Sequence, residues 1–125
     1  NWYTVNTGKL CPVGWRVPND NEWTALTNYL GGATVAGGKL KETGAIHWLS
    51  AVGSTNETGF TALPGGYRLS NGTFSHLRYN GNWWSSTVAD NGFSARFRTV
   101  SQGTPAITNG WNSVPIGYSV RCVRD

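Results

Sequence analysis

The chain has 125 residues, the size of one domain with a single core, and we place that domain at residues 1–125. The 7 Trp, 5 Tyr and 4 Phe residues exclude a disordered chain, while 12 Asn, 10 Ser, 14 Thr and 17 Gly residues favour turns and loops over long helices. The net charge of +4 is spread without a dense basic run, so we expect no nucleic-acid partner, and no apolar stretch is long enough for insertion into a membrane.

The first half of the chain predicts one clear helix between less regular segments. Residues 1–5 alternate aromatic and polar side chains, which is typical of a strand. Asn19 is placed to cap a helix, and Glu22 three residues later completes a capping box. The buried stripe of that helix is predicted to be Trp23, Leu26, Thr27 and Leu30, before Gly31 and Gly32 end it. Residues 33–42 predict one short helical turn, broken at the Gly37-Gly38 pair and followed by an extended segment.

The second half predicts short antiparallel strands separated by turn residues. The strand candidates are residues 67–69, 73–77, 82–86, 94–100 and 117–123. No repeat of fixed period is present, which argues against a solenoid or a propeller. The predicted class is therefore α+β, with one main helix and a short second helical turn packed on small antiparallel sheets, and with many loops.

Two cysteines, Cys11 and Cys122, lie near opposite ends of the chain. They cannot supply the four thiolates of a zinc site. If joined, they close a loop over 111 positions, which chain entropy values at roughly 4–5 kcal/mol; the alternative is two buried free thiols. The composition resembles that of exported proteins and predicts an extracellular or outer-surface location. Since the chain opens without a signal peptide, we expect the numbering to begin inside a larger precursor.

Five motifs, met in order along the chain, point to a known family. They are CPVGWRVP at 11–18 with EW at 22–23, AGGKLK at 36–41, GFTALPGGYR at 59–68, WWSST at 83–87 and YSVRCV at 118–123. Together they resemble the Fibrobacter succinogenes major paralogous domain. That family is similar to a branch of the C-type lectin-like fold, related to formylglycine-generating enzymes and to the variable proteins of diversity-generating retroelements. The resemblance implies a C-type lectin-like domain here.

Family members carry an extended segment upstream of the position of Asn1, and this sequence lacks it. The resemblance therefore implies that the first strand has been trimmed away or is supplied by another chain. An open sheet edge is one place where such a chain can add a strand.

The sequence predicts no catalytic residue, no metal site and no cofactor. The enzyme branch of the fold uses two cysteines close together, and Cys11 and Cys122 do not match that arrangement. Neither His47 nor His76 lies in a nucleophile motif, and we expect both at the surface. Calcium-binding lectins of this fold carry Glu-Pro-Asn or Gln-Pro-Asp followed by Trp-Asn-Asp, but here the tripeptide at residues 111–113 lacks the acid.

Aromatic and amide side chains collect in the C-terminal half, largely between the family motifs. Aromatic rings offer rigid contact area and amides offer adaptable hydrogen bonds, and the variable-protein relatives display their ligand-binding surface in the corresponding half. The candidate ligand-binding residues are Arg78, Tyr79, Asn80, Asn82, Asp90, Asn91, Phe93, Trp111 and Asn112.

Two other pairs in this half have predicted roles. Trp83 and Trp84 lie inside a motif, so we expect them to be framework residues. Arg96 and Arg98 share one face of a predicted strand, where they either pair across the sheet or bind acidic groups of a glycan.

These observations favour a non-catalytic binding or adhesion module of an exported bacterial surface protein, with a polysaccharide or a cell-surface protein as its partner. The alternative is a structural or assembly subunit of an extracellular filament or surface complex, with the open edge as its contact. A less favoured alternative is an enzyme of the formylglycine-generating type, which would need two free, reactive, metal-binding cysteines.

Overall fold

The computed structural model describes all 125 residues and confirms an α+β protein with few helices and small antiparallel sheets. The helices are α1 (Trp2–Asn6), α2 (Asp20–Tyr29) and α3 (Ala33–Leu40). The strands are β1 (Trp15–Arg16), β2 (Tyr67–Arg68), β3 (Phe74–Ser75), β4 (Asn80–Val88), β5 (Ser94–Ser101), β6 (Ile107–Ser113) and β7 (Val123–Arg124). The pairs β1–β7 and β2–β3 form two small sheets, and a third sheet has the order β4-β5-β6.

The three-stranded sheet divides the core into two layers, because side chains alternate between its faces. On one face, Trp83 and Val100 belong to a cluster that includes residues of α2 and α3. On the other face, Trp84 and Ala95 belong to a cluster with residues of α1 and Val114. Trp83 and Trp84 are both buried, which confirms their predicted framework role.

Helix α2 starts as the sequence predicts. Asn19 Oδ1 accepts a hydrogen bond from the Glu22 backbone N–H at 3.0 Å, and Glu22 Oε2 accepts from the Asn19 N–H at 2.9 Å. The Arg16 guanidinium donates to both Glu22 carboxylate oxygens at 2.6 Å, and this bonding lowers the pKa of Glu22. The predicted stripe is also confirmed, since Trp23, Thr27 and Leu30 are buried and Leu26 is partly buried.

The predicted strand at residues 1–5 is wrong, because this segment forms α1. Trp2 and Val5 are three residues apart, which places them on the same side of a helix, and both are buried in the second cluster. The Trp2 indole N–H donates to the Ser85 carbonyl at 2.8 Å and ties α1 to β4. The alternation of aromatic and polar residues thus also fitted a helix with one buried side.

The predicted break at Gly37-Gly38 is also wrong, since α3 continues through both glycines to Leu40. A Cβ atom on Gly37 would lie 2.2 Å from the Ala106 carbonyl oxygen, and one on Gly38 would lie 2.2 Å from the Gly53 oxygen. The two glycines therefore allow close packing between the helix and neighbouring loops rather than ending the helix.

The strand predictions are confirmed in part. Strands β4 and β5 contain the predicted residues 82–86 and 94–100, whereas residues 67–69 and 73–77 shrink to two-residue strands. Residues 117–123 make isolated bridges at Gly117 and Ser119 before β7 begins. The sequence did not predict β6, whose Asn and Gly residues have low strand propensity and which is paired along its whole length with β5.

Cys11 and Cys122 form a disulfide, with their Cα atoms 5.9 Å apart. The alternative of two free thiols is therefore wrong, since neither cysteine is free. The bond joins the loop before β1 to the segment that enters β7, next to the pairing of those two strands. A disulfide of this kind is compatible with an extracellular location. None of the three helices is long and apolar enough to span a membrane.

Candidate functional site

The predicted binding residues divide between the two ends of the central sheet. Asn80 pairs with Ser101 at one end, whereas Val88 pairs with Ala95 at the other. The two positions are eight steps apart along β4, or roughly 26 Å. We call the first the groove end, which holds Arg78, Tyr79 and Asn80. We call the second the hairpin end, which holds Asp90, Asn91, Phe93, Trp111 and Asn112.

Asn82 is a framework residue rather than a ligand-binding one. It is only 4% exposed. Its Nδ2 donates to the Gly66 carbonyl at 3.0 Å, and its Oδ1 accepts from the Thr99 hydroxyl at 2.7 Å. The buried amide thus holds β4 to the preceding loop and to β5, and no polar atom of it is left to meet a ligand.

An open groove of about 340 Å³ lies at the groove end. It is lined by Ile46, His47, Leu63, Pro64, Gly65, Leu77 and Arg78. Ile46 is 82% exposed and Leu77 is 66% exposed. Two large apolar side chains that line the same groove therefore face solvent. Contiguous exposed apolar surface in a domain this small is typical of an interaction site.

The loop at residues 76–79, which forms one wall of the groove, holds two non-glycine residues with left-handed backbone. His76 has φ +57° and Arg78 has φ +70°. The Arg78 N–H donates to the Pro64 carbonyl at 2.9 Å, and the Arg78 carbonyl accepts from the Leu49 N–H at 3.1 Å. The surrounding loops therefore hold the segment in a conformation that costs free energy, as is common at binding sites.

Aromatic rings extend the groove end toward the β2–β3 hairpin. The His76 ring stacks on Tyr67 with centroids 5.1 Å apart, and Tyr79 meets His76 edge-on at 6.3 Å. Tyr67 in turn contacts Tyr118, whose pKa is raised chiefly by burial. His76 and Tyr79 are both exposed, as the sequence predicts.

The hairpin end presents a different set of groups. Phe93 is exposed at the tip, where its N–H donates to Asn91 Oδ1 at 2.9 Å and closes the turn. Trp111 is 46% exposed, and the Arg96 guanidinium lies 4.4 Å from the centre of its ring. Asn112 lies one position further along β6, and its amide donates to the Tyr118 hydroxyl at 2.6 Å. Its side chain therefore lies on the opposite face of the sheet from Trp111.

The two arginines of β5 play different parts. Arg98 is 2% exposed and donates to the Asp20 carboxylate, to the Asp20 carbonyl at 3.2 Å and to the Thr24 hydroxyl at 3.0 Å. It therefore pairs inside the protein, with α2 rather than across the sheet. Arg96 is more exposed and lies 3.7 Å from Asp20 Oδ2 through its Nε. Of the two, only Arg96 is free enough to meet a ligand.

Compared with known protein families, residues 1–124 match the one described as the Fibrobacter succinogenes major domain. The chain belongs to this family. Membership is consistent with a surface domain. No curated protein and no solved structure matches the chain.

Both cysteines and His47 are engaged with other side chains of the protein. Cys11 and Cys122 form the disulfide. The exposed His47 has its Nδ1 2.9 Å from both carboxylate oxygens of Glu42. No group of three or more His, Cys, Asp or Glu side chains is arranged to hold a metal ion.

Sequence reasoning missed the apolar half of the groove. Ile46, Leu63 and Leu77 come from three short segments far apart in the sequence, and none of these segments carries a helical or strand period that marks an exposed groove. A usable hint was the placement of Ile46 and Leu63 outside every predicted strand and helix, where an apolar side chain has no core to enter; Leu77 ends the predicted strand at 73–77.

Proposed function

We propose that this Fibrobacter major domain adopts a C-type lectin-like fold and acts as a non-catalytic binding or adhesion module of an exported bacterial surface protein. Loops of its C-terminal half hold a polysaccharide or a cell-surface protein. The observation that carries the proposal is the strained loop at residues 76–79 beside an exposed apolar groove.

The loop is hard to explain as a device for stability. Left-handed backbone at His76 and Arg78 costs on the order of 1–3 kcal/mol each. The conformation leaves Leu77, between them, largely in solvent, so little burial offsets that cost. A loop held in this way supports a role in recognition, and the apolar lining favours a protein as the partner at the groove end.

The state of the cysteines supports a non-catalytic role. Thiol chemistry of the formylglycine-generating type needs free cysteines, and both thiols of this chain are consumed in the bond between Cys11 and Cys122.

The test is binding of the fluorescently labelled domain to isolated bacterial cell envelopes. We expect the combined Ile46→Ser and Leu77→Ser variant to bind at least tenfold more weakly, and Tyr79→Ala to weaken binding as well. Protease treatment of the envelopes should remove the groove-dependent part. Val13→Ser, at an exposed apolar residue outside the groove, serves as the matched control and should bind normally. Binding that survives both groove changes would contradict the proposal.

The assembly alternative is favoured by one observation, the position of β6 as the outer strand of the central sheet. Its free edge can pair with a strand of another chain. Sedimentation of the same variants at rising concentration separates the two functions. Self-association of the unmodified domain would favour the assembly role, and a monomer at all concentrations would argue against it.

A further inference from the structure

A second surface lies at the hairpin end, on the sheet face that carries α2. A polar cavity of about 160 Å³ opens between α2 and β6 near the middle of the sheet, where Arg98 pairs with Asn109. Its lining includes Thr24, Asn28, Arg98, Ile107 and Asn109. Asn109 and Trp111 alternate along β6, so they share this face about 7 Å apart.

Trp111 is suited to receive a flat ligand. The guanidinium of Arg96, a residue of β5, lies 4.4 Å from the centre of the Trp111 ring. On the side away from β5, no strand pairs with β6. Arg96 Nη1 also donates a hydrogen bond to Asn109 Oδ1 at 3.2 Å. Together with the contact between the guanidinium and the ring, this bond holds the Trp111 ring in place. Rigid aromatic surface beside amide groups is a combination that binds ligands with one apolar face and several hydroxyls.

The charge of this surface is unbalanced. The guanidinium groups of Arg96 and Arg98 face a single carboxylate, that of Asp20. Arg98 is buried and takes the shorter contact, so the excess positive charge resides on the more exposed Arg96. An arginine whose positive charge is not neutralised by a neighbouring carboxylate can bind the carboxylate of a ligand through charge-assisted hydrogen bonds.

The geometry points to Trp111, Arg96 and the neighbouring cavity as a binding site for an acidic polysaccharide, in which one uronic acid unit stacks on the uncovered side of Trp111 and the carboxylate of an adjoining unit reaches Arg96. The Asn109 and Asn28 amides then meet the hydroxyls of that unit or of its neighbour in the cavity. This inference rests on the proposed binding role, but it concerns a different surface from the groove and commits to an acidic sugar as the ligand.

The test is calorimetric titration of the domain with tetramers of galacturonic acid and of mannuronic acid, and with a neutral galactose tetramer. We expect an acidic tetramer to bind at least tenfold more tightly than the neutral one, and its binding to weaken as salt is raised. Failure of both acidic tetramers to bind, or equal binding of the neutral tetramer, would overturn the inference.

Single substitutions test which side chains form the site. Trp111→Ala should weaken binding of the acidic tetramer at least tenfold, and Arg96→Gln should do the same while abolishing the preference for acidic over neutral sugar. Asn28→Ala, on the exposed side of α2, gives a second measurement should Trp111→Ala fold poorly, and it should weaken binding severalfold. Normal binding by Arg96→Gln would refute the inference.

The matched control is Val13→Ser, at an exposed residue outside both surfaces, which should bind the acidic tetramer as the unmodified domain does. Failure of the envelope experiment with normal sugar binding would remove only the groove proposal. The opposite pattern would remove only the sugar site.

Discussion

The two ends of the central sheet expose surfaces of opposite chemistry. The groove end shows Ile46 and Leu77 to solvent beside backbone that is held in a strained conformation. The hairpin end shows Trp111 stacked on Arg96, with its charges arranged around Asp20. One end stores conformational free energy in its loop, and the other depends on electrostatic pairing between β5 and α2. They should therefore respond to different perturbations.

The largest effect is expected where the pairing is buried. Arg98→Met leaves the Asp20 carboxylate without its closest partner and removes the hydrogen bond to the Thr24 hydroxyl. We expect the free energy of unfolding to fall by roughly 3 kcal/mol in urea denaturation, since breaking a buried ion pair leaves a poorly solvated charge. The control is Arg96→Gln, whose more exposed contact should cost less than about 1 kcal/mol. Equal effects of the two changes would show that Arg98 does not hold α2 to the sheet.

An intermediate effect is expected from the strain at the groove end. Both Arg78→Gly and Arg78→Ala remove the side chain, but only glycine accepts φ +70° without cost. The glycine variant should be more stable than the alanine variant by about 1 kcal/mol, measured as the difference in their thermal unfolding. If the Arg78→Ala variant is as stable as the Arg78→Gly variant, the loop is not held in a strained conformation. The groove end then stores no conformational free energy.

The smallest effect is expected in the stability of the domain at low pH. Arg16 lowers the pKa of Glu22, so the stability that this carboxylate contributes is complete above its ordinary pKa of 4.5 and is lost as the pH falls through the lower folded value. Glu22→Gln keeps an acceptor for the cap but loses the charge. Its stability should therefore decline less than that of the unmodified domain below pH 4.5, as measured by unfolding at stepped pH. An unchanged acid profile would contradict this assignment.

What the sequence could predict was set by local chemistry. The capping box at Asn19 and Glu22, the strands β4 and β5, and the buried Trp83 and Trp84 all carry signals within a few residues. The disulfide was one of two alternatives that the presence of two cysteines left open. Helix α1 and strand β6 were missed because their conformation is decided by contacts with distant segments.

Lys41 illustrates a feature that no local pattern reveals. Its side chain is fully buried, and its ammonium group donates to the carbonyls of Val52 at 3.0 Å and Thr104 at 2.8 Å. Burial lowers the pKa of this lysine. It joins two loops that are far apart in sequence, so neither its burial nor its role could be derived before the loops were placed. The same holds for the groove, whose walls come from three separate segments of the chain.

The disulfide has a mechanical consequence. Cys11 and Cys122 enclose all of β1 to β6, so tension applied to the two ends of the domain passes through a covalent bond instead of through the sheets. Only α1 and β7 lie outside the bond and can be peeled away by such a pull. The groove and the Trp111 surface both lie inside it. A ligand held at either place would thus stay bound to the part of the fold that the bond encloses while the two ends are pulled apart.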